Sequence, residues 1–140
     1  MFNKKILEYG FLWFFGGSIY YSLETLFRGF SHISMFILGG VCMMFFAFQG
    51  RAVNWSESLL KQGLRCTIFI ISGEFITGIF VNKQLKLMIW DYTNMPIHLF
   101  GQICLPFAVL FYCLSILGIM TSGYLLHVIF HEEKPFYKLL

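Results

Sequence analysis

Glu24 stands four residues before Arg28, and Glu74 sits alone in a long apolar run. Asp91, His98 and Gln102 follow, ahead of the last apolar run. An ionisable side chain at mid-bilayer costs about 2.5–3.5 kcal/mol on insertion scales, so such groups turn inward and bind charge, relay protons or staple helices. Glu24 and Arg28 can pair along one helical face, which Gly17, Tyr20 and Tyr21 share. Glu74 shares its face with Thr67, Thr77 and Gly78, small and hydroxyl residues suited to close helix contact in lipid. In a packed bundle, Glu24, Arg28, Glu74, Asp91, His98 and Gln102 are expected to converge near the outer leaflet as one pocket for a substrate or ion. The same residues are also consistent with a plainer role, stapling helices through hydrogen bonds.

Other chemistry finds little support. His127 and His131 have metal-binding spacing on a helix, but apart from Glu132 no third ligand is evident, so they read as solvated tail histidines and no metal is expected. Cys42, Cys66, Cys104 and Cys113 all fall in apolar stretches without a CxxC pair and read as buried free thiols. No GxxxxGK[ST], GxSxG, HExxH or GxGxxG occurs, so any ATP would be hydrolysed by another subunit. The chain is read as a non-enzyme, with no cofactor.

The elements that must position these groups follow from composition. Hydrophobic residues make up 58% of the 140 and charged residues only 12%, with a mean hydropathy of +0.72. A soluble domain of this size carries about twice that charge, so lipid must replace the missing polar surface. The net charge of +3 is scattered, with no basic patch for nucleic acid. The expected fold is an all-α, polytopic membrane helix bundle in one domain, 1–140, of about four transmembrane helices.

The spans fall at residues 9–27, 33–49, 64–81 and 102–120. The first, preceded by Lys4 and Lys5 and lacking a cleavage signal, reads as a signal anchor. Asn54 and Glu57 have capping spacing, which starts the third helix near Trp55. Thr121, Ser122 and Gly123 interrupt the last run, so the fourth span is expected to be continued or kinked into an amphipathic tail helix over 121–131. Lys4, Lys5, Arg51, Lys61, Arg65, Lys134 and Lys138 lie on one side against Arg28, Lys83 and Lys86 on the other. The positive-inside rule therefore places both termini in the cytoplasm of a multi-pass cell-membrane protein.

Glu74-Phe75-Ile76-Thr77-Gly78, Trp90-Asp91-Tyr92-Thr93-Asn94 with Pro96, and Gly101-Gln102-Ile103-Cys104-Leu105 together resemble the CmpB-type family, small membrane proteins labelled as ABC-transporter permeases. The Glu24-Thr25 pair matches as well, and the resemblance spans about residues 20–119. It departs at His98, Phe100 and Gln102, where Asn, Asn and Arg are common, and in the second helix, which has only Gly39-Gly40 in place of a Gly-Pro and a Pro-Ile-Tyr-Gly segment. The resemblance implies a permease-like subunit handling a small solute or ion in the lipid bilayer. Four helices are few for a private pathway, so a homo-oligomer or a larger complex, with a separate ATPase subunit, is expected. The alternatives are a non-catalytic assembly or scaffold protein and an intramembrane lipid-modifying enzyme.

Overall fold

In the lipid core no water satisfies backbone N–H and C=O groups, so apolar runs of this length close their hydrogen bonds within helices. The computed structural model describes residues 2–140 and contains four α-helices: α1 (Phe2–Arg28), α2 (Ile33–Ala52), α3 (Leu59–Gly78) and α4 (Leu105–Phe130). A π-helical turn, Ile79–Gln84, extends α3, and a small hairpin of β1 (His98–Leu99) and β2 (Ile103–Cys104) precedes α4. Helix α2, α3 with its π extension, and α4 are each long and apolar enough to cross a membrane. Helix α1, of 27 residues, packs along α2 and completes the expected bundle. This is a membrane protein.

Small residues set the α1–α2 approach. Gly16 and Gly17 face Met43, Gly39 and Phe36, while Gly40 lies against the Trp13 backbone and ring, leaving no room for a Cβ. Leu12, Met43, Phe46, Ala47, Cys66, Ile70, Phe111 and Ile119 fill the interior. Most remaining apolar side chains, including Phe14, Leu26, Ile68 and Leu117, point outward, as lipid contact requires.

Side-chain contacts sort the helix ends into two groups. At the terminal end, Lys4 pairs with Glu132 and Arg51 with Glu8, and the carbonyls of Lys138 and Leu139 accept from Leu59 and Leu60. At the opposite loop end, Arg28 donates to the carbonyl of Ile89. The chain therefore runs up, down, up and down.

Two local expectations change. Helix α3 starts after Ser58, whose hydroxyl accepts from the Lys61 amide, whereas Asn54 and Trp55 sit at positive φ in the preceding turn. Helix α4 starts at Leu105 rather than Gln102, because Pro106, without an N–H, fits a first turn. It then continues unbroken to Phe130, so of the two expected forms of the tail, continued or kinked, the helix takes the continued one. The Thr121 and Ser122 hydroxyls donate back to the Leu117 and Ile119 carbonyls and need no break. After His131, at φ 59°, the tail folds back with the Tyr137 hydroxyl donating to the Met120 carbonyl.

Candidate functional site

Glu74 projects from α3 into the middle of the bundle and is 2% exposed. It lines a cavity of about 270 Å³ whose other walls come from all four helices. Phe15, Gly16, Tyr20 and Leu23 contribute from α1; Leu38, Gly39, Cys42 and Phe46 from α2; Ile70 from α3; Phe111, Leu114, Leu117, Gly118 and Thr121 from α4. The walls are almost entirely carbon. Among the described residues no hydrogen-bond donor or cation lies on the Glu74 carboxylate, so its oxygens face this space unpartnered. Helices α1 and α4 hardly meet, and the cavity residues Ile19 and Leu117 there are 48% and 60% exposed. The cavity thus opens sideways between them.

The six residues expected to share one pocket separate into three places. Glu24 and Arg28 form an ion pair of 3.2 Å, and a second guanidinium nitrogen donates to the Ile89 carbonyl at 2.8 Å. The pair straps α1 to the loop that follows α3, and neither residue lines the cavity. Gln102 is buried in that loop, while Asp91 and His98 stand exposed on it. Glu74 alone faces the cavity. The expected convergence fails because Asp91 and His98 serve turns: Asp91 accepts from the Thr93 amide and His98 Nδ1 from the Gly101 amide. The Thr93 amide and hydroxyl hold the Asp91 carboxyl below the usual aspartate range.

The motif residues of the loop build a knot. Asn82 is its buried centre: its carbonyl oxygen accepts from Ile89 at 2.6 Å, and its amide donates to Gln102 Oε1 at 2.8 Å. Trp90 Nε1 donates to the Gln102 carbonyl, and the Tyr92 amide to the Gly101 carbonyl. Tyr92 stacks on Phe107 of α4 with ring centroids 5.0 Å apart. Gly78 is bare because Gln102 and Trp90 lie directly on it. Ile103 pairs with Leu99, Cys104 is buried, and Thr77 and Pro96 flank the knot without a side-chain hydrogen bond among the described residues.

Phe100 and Gly101 occupy the two central positions of the hairpin turn at φ 53° and 71°. Both are left-handed, the geometry for which Asn-Gly is favoured. Gly101 meets this without strain, and a Cβ there would also lie 2.9 Å from Asp91 Oδ1. Phe100 does not, and its side chain is 63% exposed. Phe100→Asn is expected to stabilise the protein by about 0.5–1 kcal/mol, part of the left-handed cost of a bulky residue, read as a higher melting temperature in detergent.

The terminal end holds polar groups that the sequence reading did not single out. Glu8 is fully buried and ion-paired with Arg51, whose guanidinium also lies 5.2 Å from the Tyr9 ring centroid. Gln49 donates to Gln62 and accepts from Arg65, which also holds Glu57 at 2.7 Å. Only its interruption of the apolar run that follows could have marked Glu8 in the sequence; Gln49 and Gln62 fall at the ends of their runs and read as interfacial. Three of the four cysteines are buried free thiols as expected, and Cys113 faces outward. Among the described residues no cluster of His, Cys, Asp and Glu could hold a metal ion.

No curated protein and no solved structure matches the chain. A protein-family profile described as "Putative ABC-transporter type IV" matches residues 6–137, which takes in the carboxylate-bearing helix and both halves of the loop knot. Because that match covers nearly the whole length, the chain belongs to this family, ABC_trans_CmpB.

Proposed function

We propose that the protein is a non-enzymatic, permease-like membrane subunit that handles a small solute or ion at the Glu74 cavity. One observation carries this reading: an unpartnered, buried carboxylate faces an apolar cavity walled by all four helices. Among the described residues the other two glutamates held in the helix bundle each have an arginine, Glu24 with Arg28 and Glu8 with Arg51, although Glu8 Oε2 is left without a donor. Glu74 differs, and an unpaired carboxylate is expensive to keep unless something uses it. A cavity of one four-helix chain is small for a complete pathway, which favours assembly with further copies or with a separate ATPase subunit. The Lys and Arg distribution supports placing the terminal end in the cytoplasm of a multi-pass cell-membrane protein.

Glu74→Gln preserves shape and removes the charge. In a strain lacking the gene, this variant is expected to reach the membrane at normal levels yet lose at least about tenfold in complementation or solute uptake. Normal complementation would remove Glu74 from the function. A tagged protein captured in gentle detergent should bring a nucleotide-hydrolysing subunit with it; a lone homo-oligomer would count against the ATP-driven arrangement.

A scaffold role is the second reading. It is favoured by the loop knot, where most of the motif residues hold structure and none reaches the cavity. On that reading Glu74→Gln shifts the melting temperature and leaves partner capture intact.

A further inference from the structure

The chemistry of the cavity narrows what it can hold, if it is the solute site proposed above. We infer that it takes a cationic amphiphile: a primary amine on an apolar body of about ten to twelve heavy atoms, admitted sideways from the lipid between α1 and α4. The size follows by proportion, since a dry cavity of about 150 Å³ accepts benzene and this one measures about 270 Å³. Being open at one side, it lets a longer tail continue among the acyl chains.

The head group follows from the walls. Among the described residues Glu74 is the only acidic or basic side chain on them. The Thr121 hydroxyl spends its proton on the Leu117 carbonyl, so toward a ligand it can only accept, which suits an ammonium, and Tyr20 adds a hydroxyl with no hydrogen bond among the described residues. Arg28, a potential counter-charge, is held by Glu24 and the Ile89 carbonyl. An anionic head group would meet the like charge of Glu74 and no cation on the walls among the described residues. A bare inorganic cation would leave its hydration shell for a single carboxylate in a carbon-walled space, with no set of oxygen ligands to replace the lost water. An alkylammonium supplies the missing charge and donors at one end and fills the walls with the other, so its desolvation is offset twice over.

The sideways route rests on two observations. Helices α1 and α4 hardly meet, whereas α1 and α2 interlock through their glycines and α3 packs on both α2 and α4. The cavity residues at that gap, Ile19 and Leu117, are apolar and exposed, so a molecule dissolved in the bilayer meets no polar barrier there.

The test uses the full chain in nanodiscs of phosphatidylcholine at neutral pH, with decylamine, decanol and decanoate as probes that share one tail. Wild type should bind decylamine at least about thirtyfold more tightly than Glu74→Gln does, the low end of the loss when one partner of a buried charge pair is removed. Decanol should bind both proteins alike, and decanoate should not exceed its partitioning into empty nanodiscs. Equal decylamine affinity in the two proteins, or decanoate binding that matches decylamine, overturns the inference. Leu114→Trp keeps the carboxylate and puts a bulky ring into the cavity, so it provides a check that does not depend on Glu74→Gln folding. Weaker decylamine binding in Leu114→Trp supports the inference, and unchanged binding overturns it. Transport is judged separately by complementation. Amine selectivity together with normal complementation by Glu74→Gln upholds the ligand class and sinks the permease role; failed complementation without amine selectivity does the reverse.

Discussion

Gly78→Leu unfastens the loop end. A side chain at this position has to enter space held by Gln102 and the Trp90 ring. Gln102 cannot yield alone, because its Oε1 accepts from Asn82 and its carbonyl accepts from Trp90 Nε1. Overpacking costs about 1–3 kcal/mol, and each of the two hydrogen bonds lost adds about 0.5–1.5 kcal/mol. The expected destabilisation is therefore about 3–4 kcal/mol, even though Leu is the better helix former by up to about 1 kcal/mol. It should appear as a lower melting temperature in mild detergent and as new protease cleavage within 85–104. A Gly78→Leu protein that melts like wild type and resists cleavage would show that the loop does not depend on this contact.

Glu8→Ala acts at the opposite end. It leaves the Arg51 guanidinium, 18% exposed, with Glu132 as its remaining acidic neighbour at 3.9 Å. Breaking a buried pair costs about 3–5 kcal/mol, because a charge is stranded rather than because the pair was strong. The lower figure, about 3 kcal/mol, applies here, since Arg51 also borders a polar cavity of about 530 Å³ at the terminal end where water can reach it. The double variant Glu8→Leu, Arg51→Met removes the stranded charge and should regain most of that loss. If the double variant is as unstable as the single one, the cost lies in packing around Leu12 and Tyr9 and not in the charge.

These two sites differ in how far the sequence revealed them. The Gly78 and Trp90 motifs were visible as a family resemblance, but their meaning was not, because a residue pattern does not say which groups touch across 24 residues of chain. Asp91 and His98 looked like chemistry because acids and imidazoles often do chemistry. In the fold they accept from nearby amides and hold turns. Glu8 escaped notice because a lone acid near a helix start resembles an interfacial charge; only Arg51, 43 residues away, makes it a core group.

Sequence alone determined the bundle and its membrane character. Length, apolar content and scarcity of charge leave hydrogen-bonded helices in lipid as the available solution, and each helix closes those bonds locally. The tertiary structure decided which polar groups have partners. Burial and pairing depend on where distant segments meet: Arg28 against the Ile89 carbonyl, Arg51 against Glu8, Gln102 against Asn82, and, among the described residues, no partner for Glu74.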